Sequence, residues 1–189
     1  MNMRWPLVWF AQRVLLGMGI VILVYAGGSI AYAEIYQRYG SAKFIKHDIV
    51  AERAAPDLTE GDIVGKLEIP RIGISVMVLQ GVEEDTLYLG AGHVPGTPLP
   101  GIEGNVAIAA HRDTFFRKLE GILPGDRIQF ATKRGTYEYV VDSTQIVDPR
   151  DTQAMESRAR PELTLITCYP FYFVGAAPKR FIVHALRKG

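Results

Sequence analysis

The sequence predicts an all-β domain, a barrel or a sandwich, carried behind one apolar N-terminal helix. Two observations predict this. Residues 14–33, VLLGMGIVILVYAGGSIAYA, are twenty in a row without a charge. From Gly65 onward, short β-branched and apolar runs alternate with Gly- and Pro-bearing turns, the pattern of many short strands. No internal repeat or low-complexity tract interrupts it.

As a helix, twenty residues rise about 30 Å, the thickness of a bilayer core. Arg4 and Arg13 precede the run, and the first acidic residue is Glu34. The positive-inside bias then keeps the N-terminus in the cytoplasm and exports the rest. Residues 1–33 are therefore expected to be a cytoplasmic stub and a single-pass transmembrane anchor. A cleaved signal peptide competes, because Ala31-Tyr32-Ala33 has the A-x-A form, although the run exceeds a usual signal core of roughly 7–15 residues. A buried soluble helix fits less well, since the run is apolar on every face. Residues 34–62 mix charge with alanine and end in AAPDLTEGD, which predicts a short helix and a linker. Residues 63–189 form the domain.

Within that domain, GKLEIPRIGISVMVLQGV predicts two strands broken by Pro70 and Gly73. EDTLYLGAGHVPGTPLPGIEGN predicts a helical turn followed by a long Gly/Pro loop. NVAIAAH predicts a buried strand ending at His111, and DTFFRKLEGI a further helical turn. PGDRIQFAT, GTYEYVVDSTQIV, ELTLITC and KRFIVHALR supply four more strands.

The formal net charge is +1, without the basic excess of a nucleic-acid binder. The chain has no Gly-rich phosphate loop, HExxH, CxxC or GxSxG motif. Its single cysteine, Cys168, excludes an intramolecular disulfide and a multi-cysteine zinc site. Glu83, Glu84, Asp85 and Asp113 are dispersed carboxylates with no calcium-loop spacing, so solvated charge is their default and no cofactor is expected. Of the four histidines, His47 lies in the linker, His93 in a loop open to a functional role, and His184 inside the last strand, where a surface-facing position is the plain reading. A lone cysteine is ordinarily a small core residue. Yet Cys168 and His111 each end a strand, and Arg180 opens a neighbouring one. Acyl transfer from an amide needs a nucleophile, a proton carrier and a stabiliser for the developing oxyanion, and these three residue types can fill those roles.

GHVPGTPLPGIEGNVAIAAHRDTFF, TLITCYPF and PKRFIVHA together resemble the sortases, membrane-anchored cysteine transpeptidases of bacteria, over roughly Gly65 to Leu186. The HRDTFF run and the CYPF after the cysteine resemble the class D branch most. The resemblance implies an eight-stranded β-barrel. It also implies Cys168 as nucleophile, His111 as general acid/base and Arg180 as the residue that binds the sorting motif and stabilises the oxyanion, with Thr167 in support. The implied partners are surface proteins with an LPxTG-like C-terminal motif, cut between Thr and Gly. The acceptor is an amine, such as a cell-wall peptide or a pilin lysine. Two other classes remain open at this point. One is a plain extracellular cysteine peptidase, separated by whether excess amine diverts the product. The other is a tethered binding domain with Cys168 in its core, in which Cys168→Ala leaves function intact.

Overall fold

The computed structural model describes residues 5–45, 58–151 and 160–188, and within the N-terminal helix the side chains at 9–10, 12–28, 31–32 and 35. That helix, α1, runs Trp5–Ile45. The expected anchor, 14–33, lies inside it, and the helix continues through the first part of the expected linker. The side chains of residues 29, 30 and 33 lie outside the described residues. Among the described residues no helix is long and apolar enough to cross a membrane. Arg4, His47 and linker residues 46–57 lie outside the described residues.

Eight strands follow: β1 Ile63–Ile69, β2 Ile74–Gln80, β3 Ala91–His93, β4 Asn105–Ala109, β5 Arg127–Thr132, β6 Gly135–Val147, β7 Glu162–Tyr169 and β8 Lys179–Arg187. They close into a barrel in the order β1-β2-β3-β4-β7-β8-β6-β5. The β2–β3 and β4–β7 pairs are parallel and the others antiparallel. Helix α2, Glu84–Leu89, bridges β2 and β3, and 3₁₀ turns occur at Pro70–Ile72 and Arg117–Gly121. Closure pairs every strand on both sides, so no edge is left to recruit another chain.

The interior takes one face of each strand. Leu67, Ile108, Phe130, Tyr139, Leu165 and Val183 are all but inaccessible to solvent. Phe116 and Leu119, from DTFFRKLEGI, seat that segment in the same core. Residues 58–62, expected as linker, already belong to the barrel. Leu58 packs on the core, and the Gly61 N–H donates to the Gln80 carbonyl at 2.9 Å. β3 falls in the stretch expected to be loop. A Cβ at Gly92 would collide with the Gly81 carbonyl, so glycine is what lets β3 pass that backbone.

Candidate active site

Three neighbouring strands, β4, β7 and β8, position the candidate residues. In each, alternate residues enter the core: Val106, Ile108 and Ala110; Leu163 and Leu165; Phe181, Val183 and Ala185. Period-2 alternation puts the residues between them on the opposite face. There stand His111 just beyond β4, Cys168 in β7 and Arg180 in β8, all half-buried. Cys168 lies directly opposite Arg180 in the β7–β8 register. In the parallel β4–β7 register Ala109 lies opposite Ile166. The Ala110 N–H donates to the Ile166 carbonyl at 3.1 Å, and the Thr167 hydroxyl donates to the Ala110 carbonyl at 2.7 Å. The next pair along these chains is His111 and Cys168. Because β4 and β7 are parallel and β8 is antiparallel to β7, all three residues occupy the same end of the barrel.

Cys168 is a free thiol. Arg180 Nη1 donates to the carbonyls of Ala177 and Lys179 at 3.3 and 3.0 Å, and among the described residues no carboxylate pairs with it. The row behind the three, Ala109, Ile166 and Ile182, is apolar. One row further lie Thr164 and His184, with Asn105 close by. The Thr164 hydroxyl donates to Asn105 Oδ1 at 2.9 Å, and Gln145 Nε2 lies 2.9 Å from His184 Nε2.

One histidine expectation, the surface-facing His184, needs correction. His184 is buried within this polar row, between Gln145 and Thr164. His93 is 2% exposed and ends β3. Its Nδ1 lies 2.8 Å from Gln80 Oε1 and its Nε2 3.0 Å from the Pro98 carbonyl, so it is a structural residue. Burial pushes its pKa below the ordinary value, with the Pro98 carbonyl pulling the other way. Thr167 faces inward at 2% exposure, with its hydroxyl committed to Ala110. Among the described residues no group of three His, Cys, Asp or Glu side chains could hold a metal ion.

Tyr169 and Phe171 pack with Phe181 at centroid distances of 5.9, 6.3 and 5.3 Å, backing the cysteine from the core side. Tyr172, Phe173 and Val174 stand exposed at the tip of the β7–β8 loop. Arg112 reaches across to this loop, a contact that no sequence signal announced.

The family model described as Sortase domain matches residues 67–188, from inside β1 past the end of β8. Sortase D of Bacillus subtilis is 37% identical over 128 residues, 67% of this chain and 65% of that protein's length. Sortase A of Bacillus anthracis is 28% identical over 156 residues, 80% of this chain and 72% of that protein. Among solved structures, a Clostridium perfringens Sortase D5 transpeptidase superposes with a TM-score of 0.64 at 27% identity, covering 70% of this chain and 83% of that one. A Clostridium perfringens sortase C solved with the C-terminal cell wall sorting motif gives 0.65 at 28% identity, with coverage of 74% and 79%. A family match over most of the chain, on a closed barrel whose β4, β7 and β8 carry histidine, cysteine and arginine to one end of one face, means that the chain belongs to the sortase family.

Proposed function

We propose that this chain is a membrane-tethered cysteine transpeptidase that cuts an LPxTG-like sorting signal between Thr and Gly. The observation that carries the reading is the shared row: His111, Cys168 and Arg180 on one outward face, with Cys168 and Arg180 directly paired. In this reading the Cys168 thiolate attacks the Thr carbonyl carbon, and the carbonyl oxygen takes up the negative charge beside Arg180. The guanidinium remains charged and offers donors in a fixed fork. The C–N bond breaks as the His111 imidazolium protonates the departing glycine nitrogen, leaving a thioester on Cys168. An incoming amine then attacks the thioester carbonyl. His111 takes its proton, an amide forms, and the thiolate is released. Thr167 serves as a positioning residue, holding β7 against the residue before His111. The apolar row Ala109–Ile166–Ile182 gives the aliphatic side chains of the motif a floor beside the thiol.

The tether is α1. Val14, Leu15, Leu16, Val21, Leu23 and Val24 stand exposed, although a soluble protein rarely shows contiguous apolar patches beyond a few hundred Å². Arg13 stacks on Trp9 at 3.8 Å, a pairing suited to the headgroup level at the cytoplasmic end. The catalytic domain then lies outside the cytoplasm, where surface proteins with the motif meet a cell-wall peptide or a pilin lysine.

The test is intact-mass measurement on the full chain in detergent with an LPxTG-type peptide, for the wild type and Cys168→Ala. The expected result is a wild-type adduct equal to the peptide up to Thr, discharged by excess amine into a peptide–amine product and absent from the variant. Adduct discharged only by water would replace transfer with hydrolysis. Wild-type turnover by Cys168→Ala would end the reading.

A further inference from the structure

Arg112 follows His111 directly, and its guanidinium leaves its own segment. Nη1 donates to the Pro170 carbonyl at 3.0 Å. Nη2 donates to the carbonyls of Phe173 and Gly175 at 2.7 and 3.1 Å. The cation also sits 5.8 Å from the Phe173 ring centroid. All three acceptors lie in the loop 170–178, which leaves β7 two residues after Cys168 and enters β8 one residue before Arg180. One rigid fork therefore joins the backbone that carries the histidine to the loop that connects the other two residues.

Apart from Arg112, the loop is held among the described residues by Arg180, whose Nη1 donates to the Ala177 carbonyl at 3.3 Å. Phe171 is seated in the core, but Tyr172 is 68% exposed and Val174 99% exposed. Arg117 covers the Tyr172 ring at 4.7 Å, a second contact from the same segment. The acceptors of Arg112 are backbone carbonyls spread over six residues. A planar guanidinium can span them, whereas a lysine ammonium is a single compact donor centre. Carbonyls do not titrate, so the clamp acts alike at every working pH.

We propose that Arg112 is a positioning residue for the transfer reaction: it fixes the β7–β8 loop, and through it the placement of Cys168 and Arg180, relative to His111. The inference rests on the reading of those three residues given above. Displacement of reacting groups by about 1 Å costs on the order of 10²-fold in rate, which sets the expected size of the effect.

The experiment compares full-length wild type, Arg112→Ala and Arg112→Lys for kcat, KM, the pH profile of kcat, the thermal midpoint, and chymotryptic cleavage mapped to Tyr172 and Phe173. For Arg112→Ala, kcat is expected to fall on the order of 10²-fold with KM changed much less. The limbs of the pH profile stay in place, and cleavage at the loop tip accelerates. Arg112→Lys recovers part of both. Wild-type kcat and unchanged loop cleavage in Arg112→Ala would overturn the proposal. So would a shifted pH limb, which would make Arg112 a participant in proton transfer. If Arg112→Ala does not fold, Arg112→Lys decides: lowered kcat and faster loop cleavage at a native midpoint support the clamp, and wild-type kcat refutes it. Failure of the underlying reading is separately visible, since Cys168→Ala would then retain transfer while loop cleavage still reports on Arg112.

Discussion

At the scale of single residues, His93 tests how burial sets protonation. It sits between Gln80 and Pro98 with its pKa pushed below 6.5 by burial. The folded chain therefore holds the ring neutral where the unfolded chain takes up a proton. The stability this provides is complete above about pH 6.5 and is lost as pH falls through the depressed folded value. The thermal midpoint should drop between about pH 7.5 and about pH 5.5, and should drop less in His93→Gln, which does not titrate. His93→Ala should cost about 1–3 kcal/mol at neutral pH, because Gln80 and the Pro98 carbonyl lose a buried partner. Thermal unfolding across the pH range checks both, and kcat per folded molecule should not change. A midpoint with the same pH slope in wild type and His93→Gln would remove His93 as the titrating group.

At the scale of elements, the parallel pair β4–β7 sets the distance from histidine to cysteine. Ala109 opposite Ile166 fixes the register, and the Thr167 hydroxyl on the Ala110 carbonyl pins its last step. Thr167→Val keeps the shape but leaves that buried carbonyl without its donor, so it should lower stability by about 1–3 kcal/mol. It should lower kcat as well, and Thr167→Ser, which keeps the hydroxyl, should restore both. Urea unfolding and single-turnover thioester formation are the measurements. A Thr167→Val variant that loses stability yet forms thioester at the wild-type rate would confine Thr167 to the fold. The same element marks the limit of what sequence reveals. Seven strands are legible because β-branched runs between Gly and Pro turns announce them. β3 is not, since Ala91-Gly92-His93 is too short to show alternation and its glycine reads as a turn. Cys168, His111 and Arg180 are legible as strand-end residues, but their shared row follows from strand pairings, one of them across more than fifty residues of chain. Arg112 could not be foreseen at all. Its partners are backbone carbonyls, which every residue has.

At the scale of the whole molecule, barrel and helix divide the work. Among the described residues every member of the core cluster comes from Leu58 through Ala185, although the backbone of α1 passes close to β2 and α2. Deleting residues 1–33 should therefore leave the barrel folded and its rate on a soluble LPxTG-type peptide unchanged. What α1 supplies is proximity. A substrate held in the same membrane meets the site at an effective concentration fixed by the tether, and tethering of this kind raises apparent affinity by about 10²–10⁴-fold without a new contact. The truncated chain should move from the membrane to the soluble fraction. Its rate on a membrane-tethered substrate at low concentration should fall on the order of 10²-fold. Carbonate extraction followed by rate measurements on both substrates checks the pair of expectations. If the full chain is extracted by carbonate, α1 is not an anchor. If the truncated chain loses the soluble-peptide rate as well, α1 supports the barrel itself, and the division of work is wrong. If only the tethered substrate slows, the helix acts on encounter alone, and the chemistry belongs to the end of the barrel where β4, β7 and β8 converge.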